Sequence, residues 1–369
     1  MKRLMLKKRK SPLSSIATWY VVQGSADVRW RAEMPAKHLQ ARLCVLDEET
    51  AKKELTKPNG KKFRWVETDS GSEYPDHEGV AVWTRPCMVR AMHGASMSAN
   101  GVRVVAEVDD NYLTDKKQNI FMRMNNYGPE QRESHIKAFA TMDGIICSTD
   151  ELRDEYSRTF KKEIGYVPDM FVARNHIDLD DWNDRVPMLP PNKEGRLRVG
   201  WAGSHQHVWD LRLAAPALRL AKDMGCEVVL VGLDPASHDP KWKEFLGDYT
   251  HIPWSDPKEY HRSILPFDIG LIPLVYNKHT LGKSDVKFLE YSMSGIATVA
   301  QSHPIYNRTI KHGETGLLAS SPDGLAMEMA RLIRSSRLRE ELVESARQYV
   351  LENRTIQKNI GEWKEAILG

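Results

Sequence analysis

The alternation of short β-branched runs with helix-like stretches constrains this chain more than any other feature of its sequence. Such alternation is typical of βαβ units, whose strands form parallel sheets with helices on both faces. It predicts strands at 16–22, 80–83, 102–108, 144–147, 164–167, 197–201, 227–231, around Ile252, at 268–274 and at 296–300. Because 369 residues exceed the length over which one core usually grows, an α/β chain of two domains is expected.

Helix-like composition fills the intervals between these strands. The predicted helices cover 35–43, 88–99, 115–142, 207–224, 257–264, 284–293, 324–334, 338–353 and 356–367. A polar segment at 185–196 with several prolines is the predicted linker. We therefore expect a Rossmann-like domain over 1–190, a second one over 191–340, and terminal helices over 341–369 that pack back across both. Their parallel sheets should face a cleft between the domains.

Composition and charge narrow the class of protein. No apolar run reaches the roughly 20 residues that a membrane-spanning helix needs, and the basic start lacks the apolar core of a secretory signal. The four cysteines show no paired spacing, which predicts reduced thiols and a cytoplasmic protein. Basic clusters at 1–10 and 52–62 could contact a polyanion, either nucleic acid or anionic lipid, or remain solvated surface.

A strand at 197–201 runs into a turn of small residues, Gly200, Gly203 and Ser204, and a helix follows. At the carboxyl end of a parallel strand, such a turn lets backbone N–H groups approach a phosphate. The spacing matches neither the dinucleotide fingerprint nor a Walker A loop, which weakens the NAD-binding and ATPase interpretations. A tight turn without a ligand is the alternative.

The segment around Lys287 and Glu290 carries a stronger signal. On a helix these residues lie three apart and share one face near its start, and Lys283 and Ser284 lie at the cap. A cation there suits a diphosphate, and a carboxylate suits ribose hydroxyls. The alternative is an ordinary surface ion pair. The buried strand that follows at 296–300 argues against it, because it places the helix at the sheet edge.

The C-terminal half resembles the group 1 (family 4) glycosyltransferases, which have the GT-B fold of two Rossmann-like domains. The resemblance rests on segments VGWAGS (199–204), DIGLIPL (268–274), KSDVKFLEY (283–291), GIATVA (295–300) and HGETGLL (312–318). Weaker matches in the N-terminal half are GSADVRWR (24–31), EVDDNY (107–112), DGIICST (143–149) and RNHID (174–178), where Arg174 replaces the usual proline. The resemblance implies a nucleotide-sugar donor in the C-terminal half and an acceptor in the N-terminal half.

Residue roles follow from these matches. The implied donor-binding residues are Gly203, Ser204, His205, Trp254, Lys283, Ser284, Lys287 and Glu290, with Lys287 also acting on the leaving diphosphate. The implied acceptor-binding residues are Arg29, Arg31, Asp109 and Asp110. His205 and His207 follow the small-residue turn, where an imidazole could steady the leaving group, although a lone histidine is more often structural.

Asp109 and Asp110 come directly after an apolar strand, so they should face the cleft. They are the candidate catalytic carboxylates: acceptor-positioning groups if configuration is retained, or a general base if it is inverted. Two alternatives remain. The pair could be the metal-binding acidic motif of the GT-A fold, or it could cap the next helix or pair with Arg103.

The sequence departs from the resembled family at one position. The family's Glu-x7-Glu motif would have its first glutamate at position 282, where this chain has Gly282, and its second at Glu290. In the family the first glutamate contacts the donor sugar. The sugar and the stereochemical course therefore stay open.

The predicted function is transfer of a sugar from a nucleoside diphosphate sugar, with UDP or GDP favoured, to an acceptor hydroxyl. No metal or other cofactor is expected, and retention is favoured. The acceptor could be a glycan or lipid-linked sugar, modified DNA as for phage-type enzymes acting on hydroxymethylated bases, or a protein side chain. A non-hydrolysing nucleotide-sugar epimerase and an inactive nucleotide-sugar-binding protein are alternatives from other classes.

Overall fold

A computed structural model describes residues 17–22, 28–46, 66–67, 80–84, 102–114, 128–182, 187, 189, 195–255 and 260–369. The predicted helix at 88–99, both basic clusters and most of the predicted linker lie outside the described residues. The domain boundaries at 190 and 340 therefore stay predictions.

The first sheet is built from the N-terminal half. Its strands are β1 (Ala17–Val22), β2 (Arg42–Leu46), β3 (Val66–Glu67), β4 (Val80–Thr84), β5 (Arg103–Val108), β6 (Gly144–Cys147) and β7 (Asp169–Val172). They lie in the order β3-β2-β1-β4-β5-β6-β7, and all neighbours are parallel except β2 and β3. The strand order reverses between β1 and β4, which is where parallel sheets open a crevice for ligands.

The second sheet is wholly parallel within the described residues and belongs to the C-terminal half. Its strands are β8 (Arg198–Gly203), β9 (Glu227–Gly232), β10 (Thr250–Pro253), β11 (Ile269–Ile272), β12 (Ala297–Gln301) and β13 (Leu317–Ala319), in the order β10-β9-β8-β11-β12-β13. The central strands β4, β5, β6, β8 and β11 are almost wholly buried, as in parallel sheets that are covered on two faces. The predicted α/β class with two parallel sheets is confirmed.

Helices cover both sheets. The described helices are α1 (Met34–Leu39), α2 (Pro129–Ala140), α3 (Asp150–Glu163), α4 (Val208–Asp223), α5 (Lys241–Leu246), α6 (Tyr260–Ile264), α7 (Val286–Met293), α8 (Pro304–Thr309), α9 (Pro322–Arg334), α10 (Ser336–Asn353) and α11 (Ile356–Leu368). In the described part of the chain, none is long and apolar enough to cross a membrane.

The last two helices pack on different halves. Helix α10 packs against α7 and β12 of the second sheet, whereas α11 packs against α1 and β7 of the first. On α11, Trp363 is fully buried, and its ring centroid lies 6.0 Å from that of Trp19 in β1. The end of the chain thus belongs to the N-terminal core.

Two predicted elements are wrong. Residues 164–167 are not a strand: Ile164 ends helix α3, and the strand follows at Asp169–Val172. The helix predicted over 35–43 ends at Leu39, because Gln40 adopts a left-handed conformation with φ of 53° and Arg42–Leu46 then pairs with β1. In both places a short apolar run fits more than one element, and pairing within the sheet decides.

Arg31 and Glu107 form an ion pair that is fully buried in the N-terminal half. Arg31 lies in a π-helical turn at Arg29–Glu33, and its guanidinium also donates to the Ala173 carbonyl and lies 4.6 Å from the Trp363 ring centroid. One buried charge thus connects the segment before α1, strand β5, the end of β7 and helix α11.

Removing one member of this pair leaves a buried charge without compensation. We expect Glu107→Ala to lower the free energy of unfolding by about 3–5 kcal/mol, measured by urea denaturation. The control is Arg29→Ala, which breaks a partly exposed ion pair with Asp181 and should cost less than about 1 kcal/mol. An equal loss of unfolding free energy in the two variants would contradict the conclusion that the buried Arg31–Glu107 pair stabilises the N-terminal half.

Candidate functional site

Two glycines close the carboxyl ends of neighbouring strands β8 and β9. A Cβ at Gly203 would lie 2.6 Å from the Trp201 ring, and one at Gly232 would lie 2.6 Å from the Gly203 carbonyl oxygen. Gly232 also has φ of 88°, a conformation that favours glycine. Ser204 then leads into a short 3-10 turn at His205–His207, immediately before α4. Both glycines are therefore required by close packing within the protein, and the turns after β8 and β9 lie against each other.

Helix α7 begins beside these turns and presents Lys287 and Glu290 on one face. Glu290 is buried, and Lys287 is half-buried with its Nζ 5.5 Å from the Trp201 ring centroid. Burial lowers the pKa of Lys287 to about 8, although Asp210 and Glu290 act in the opposite direction. Lys283 lowers it further by charge repulsion. An anion placed here would meet two lysines at a helix start.

The start of α7 is fixed by a buried ion pair between Asp285 and Arg354. The two Arg354 bonds to Asp285 measure 2.5 and 2.9 Å, and Thr309 donates to the same carboxylate at 2.7 Å. Arg354 also donates to the Asn175 carbonyl at 3.0 Å, and the Asn175 amide donates to the Ser284 hydroxyl at 2.9 Å. The segment that follows β7 is thereby joined to the start of α7.

A small pocket opens between the start of α4 and the loop after β11. Its lining residues are Gln206, His207, Trp209, Asp210, Leu274, Val275, Asn277, His279, Thr280 and Lys283. Burial, together with the charge of Lys283, lowers the pKa of His279 to about 4. Near neutral pH this imidazole is uncharged, and the positive charge of the pocket resides on lysine.

His207 and Asp210 form a hydrogen-bonded pair in this pocket, with His207 Nδ1 at 2.7 Å from Asp210 Oδ2. The other carboxylate oxygen accepts from the Val275 N–H at 2.7 Å. Burial alone would raise the pKa of Asp210, but these hydrogen bonds and the nearby Lys287 hold it below its ordinary value. Asp210 is therefore a buried carboxylate that fixes the orientation of the imidazole.

The loop at 278–283 also contacts the N-terminal half. Lys283 Nζ lies 2.6 Å from Asp110 Oδ1, and both side chains are largely buried. Asn111 donates to the Lys278 carbonyl at 3.3 Å, and Thr149 donates to the Gly282 carbonyl at 3.3 Å. One of the two candidate catalytic carboxylates thus reaches this loop of the C-terminal half directly.

Gly282 is buried in this contact. A Cβ at this position would lie 2.7 Å from Leu152 Cδ1 of helix α3, which is itself fully buried. A glutamate at 282 would therefore require the Leu152 side chain to move. The lack of a side chain at Gly282 lets the two halves pack, and the carboxylate that reaches this loop comes from Asp110 instead.

Other predicted residues lie elsewhere. Arg31 has 0% exposure, so it is enclosed in the core of the N-terminal half rather than open to an acceptor. Arg29 is paired with Asp181, and Asp109 is partly exposed at the end of β5. His205 is exposed and lies within hydrogen-bond distance of His238, at 2.8 Å, and it does not line the pocket.

Trp254 is 50% exposed at the end of β10 and lies beside the turn at Gly232. Asp210, His279 and most other pocket-lining residues were not predicted from the sequence. The three-residue spacing of His207 and Asp210 at a helix start was the available signal. Among the described residues, no group of three or more histidine, cysteine or acidic side chains is arranged to hold a metal ion.

Comparison with known families gives a match for part of the C-terminal half. Residues 212–365 match a family described as "Glycosyl transferase-like". A comparison with curated protein sequences finds no match.

Several solved structures are similar over most of the chain. Sucrose-phosphate synthase from Thermosynechococcus elongatus has a TM-score of 0.63 at 13% identity, covering 95% of this chain and 98% of that one. Anabaena HepE, in complex with UDP and glucose, has a TM-score of 0.62 at 9% identity, covering 95% and 99%. These likenesses confirm the predicted GT-B fold.

Some similar structures are longer than this chain. TarM from S. aureus, in complex with Fondaparinux, alpha-GlcNAc-glycerol and UDP, has a TM-score of 0.56 at 13% identity and covers 79% of this chain. The chain spans 55% of the length of TarM and 56% of the length of pneumococcal GtfA.

The environment of Lys287 predicts an unusual titration. After reductive ¹³C-methylation, we expect the Lys287 signal, assigned by its loss in Lys287→Arg, to titrate near pH 8, against an ordinary lysine pKa of 10.5. Asp210→Asn should lower that pKa further, because the carboxylate raises it. A Lys287 signal that titrates above about 10, as an exposed lysine does, would contradict the site geometry.

Proposed function

We propose that this chain, which has the GT-B fold, is a group 1-like glycosyltransferase that moves a sugar from a uridine diphosphate sugar to an acceptor hydroxyl. The observation that carries the proposal is the convergence of Lys283, Lys287 and Glu290 beside the Gly203 turn. Two cations, a buried carboxylate and a tight backbone turn meet there at the carboxyl edge of a parallel sheet. That combination matches the parts of a nucleotide sugar.

The diphosphate is proposed to lie at the start of α7. Lysine side chains and the helix start both favour negative charge, and their effect is strongest where water is excluded. Because charge builds up on the diphosphate as the glycosidic bond breaks, Lys287 would stabilise the transition state more than the bound donor. Lys283 and the Ser204 turn would contact the same group.

The nucleoside is proposed to extend from the diphosphate toward Glu290 and Trp254. Glu290 would accept hydrogen bonds from the ribose hydroxyls, and the half-exposed Trp254 would flank the base. Uridine is favoured because the structures of HepE and TarM contain UDP; guanosine is the second choice. Positive charge from two lysines supports a reaction that needs no divalent metal.

The acceptor is proposed to be a saccharide hydroxyl that approaches from the N-terminal half, with Asp110 and Asp109 at the end of β5 orienting it. TarM was solved with alpha-GlcNAc-glycerol, which supports a saccharide. Retention is the proposed stereochemical course, carried by the resemblance to the group 1 enzymes. The charged clusters on which a DNA acceptor would rest lie outside the described residues, so no observation favours it.

A thermal-shift screen tests the proposed donor. UDP-, GDP-, ADP- and dTDP-sugars are compared with manganese and with EDTA. We expect one uridine nucleotide sugar to raise the melting temperature equally under both conditions, because ligand binding to the folded state stabilises it. No shift with any nucleotide sugar would contradict the proposed function. A shift that needs manganese would overturn metal independence alone.

Two substitutions separate the donor contacts. Lys287→Met and Glu290→Gln should each weaken UDP binding roughly 10- to 100-fold by calorimetry, since each removes a charge-assisted hydrogen bond in a buried site. Lys311→Met is the control, because the Lys311 side chain is exposed and pairs with Glu314. UDP binding at wild-type strength in either test variant would remove that residue from the site.

The ion pair between Asp110 and Lys283 predicts a substitution that strengthens UDP binding. Asp110→Asn should strengthen UDP binding by about fivefold. In the wild type, Lys283 must break its ion pair with Asp110 to bind the diphosphate, which costs about 1 kcal/mol, and in the variant this cost is absent. Asp109→Asn is the matched control and should have no such effect. In a Lys283→Gln background the Asp110 effect should disappear. Weaker UDP binding by Asp110→Asn would show that Asp110 does not compete with the diphosphate.

A further inference from the structure

The His207–Asp210 pair lines the same pocket as Lys283 but has no part in the donor contacts proposed above. We propose that His207 takes up a proton from solvent when the donor diphosphate binds, and that the resulting imidazolium holds the leaving diphosphate. This inference rests on the proposed function and adds a third cationic contact to the two lysines.

The geometry fixes which nitrogen is available. In the neutral imidazole, Nδ1 carries the proton and donates it to Asp210, because the buried Asp210 carboxylate can only accept. The Nε2 atom is then an unprotonated acceptor, which a phosphate oxygen does not bind. One proton added at Nε2 converts it into a charged donor, and no covalent bond of the protein or ligand changes.

Asp210 is built to stabilise that imidazolium. Its second oxygen is held by the Val275 N–H, so the carboxylate stays in place and ionised behind the ring. A carboxylate at hydrogen-bond distance from Nδ1 favours the charged form of histidine and keeps the ring oriented. His207 can therefore gain charge without a rearrangement of its surroundings.

The charged groups around His207 oppose protonation until an anion arrives. Lys287 acts from α7 and Lys283 from the preceding loop, where His279 also faces His207 as a neutral ring. Burial has the largest effect on the pKa of His207 and lowers it. Lys287 lowers the pKa further, whereas Asp210 on α4 raises it. Near Asp210, His303 is buried and also has a lowered pKa, near 4, so it adds no charge. A bound diphosphate offsets the two lysines, and the pKa of His207 rises.

His238 provides a control outside the pocket. It is exposed, it lies within hydrogen-bond distance of His205, and it does not line the pocket. A histidine outside the pocket should take up no proton when the donor binds.

The experiment is calorimetry of donor binding at pH 7 in two buffers of different ionisation enthalpy. The probe is whichever of UDP-glucose, UDP-GlcNAc and GDP-mannose gives the largest shift in the screen above, because a diphosphate esterified at both ends has no further proton to lose. Wild type and His238→Asn should each take up nearly one proton. His207→Asn should take up only about 0.1, from Lys287, whose pKa of about 8 leaves it roughly nine-tenths protonated.

The pH dependence carries a definite sign. A group whose pKa rises on binding makes binding stronger as pH falls, and one proton changes affinity up to about tenfold per pH unit between the free and bound pKa values. Wild-type affinity should therefore increase from pH 8 to pH 7, and that of His207→Asn should increase much less.

His207→Lys separates the charge from its titration. Lysine at this position carries its charge before binding, so we expect near wild-type affinity with little proton uptake, which also shows that the site is folded. Full uptake retained in His207→Asn or in His207→Lys would overturn the inference. Wild-type binding without proton uptake would overturn it while leaving the proposed function intact, whereas failure of all three probes to bind would reject the proposed function itself.

Discussion

The buried ion pair between Asp285 and Arg354 is the contact on which the arrangement of the site depends. Asp285 directly precedes helix α7, and Arg354 lies between α10 and α11, the two helices that pack on opposite halves. Because a buried charge without its partner is costly, the pair holds the start of α7 in one position relative to both sheets. Lys287 and Glu290 take their places from that helix start.

The segment after β7 is held on its other side by helix α11. Arg174 stands where the resembled family usually has a proline, and its side chain binds Glu362 of α11 and Asp150 of α3. Burial alone would raise the pKa of Glu362, but His176 and Arg174 hold it down to about 2, so it stays ionised. Where the resembled family has a proline, this chain thus has an arginine that joins the segment to helices α3 and α11 by ion pairs.

The fold could be predicted from the sequence because parallel sheets follow from local pattern. Apolar runs such as 144–147 and 227–231 became strands at nearly the expected bounds. The same logic placed Lys287 and Glu290 on one helix face, since their spacing is fixed by helix geometry. Errors arose at 164–167 and 40–43, where short apolar runs fit more than one element.

The rest of the site could not be predicted, because it depends on pairs far apart in the sequence. Asp110 meets Lys283, and Leu152 packs where a side chain at Gly282 would lie; only the packing of the two halves brings these residues together. Arg31 was expected to be exposed, because it is a basic residue in the segment predicted to bind the acceptor. It is buried instead, because Glu107 on β5 compensates its charge.

The most direct test of the proposed site is a crystal structure of the protein with a bound uridine diphosphate sugar. We expect the diphosphate between Lys287 and the Gly203 turn, with the ribose at Glu290, the base near Trp254 and no metal ion. A diphosphate held by a metal ion at Asp109 and Asp110 would contradict it and would place the chemistry in the other half of the molecule.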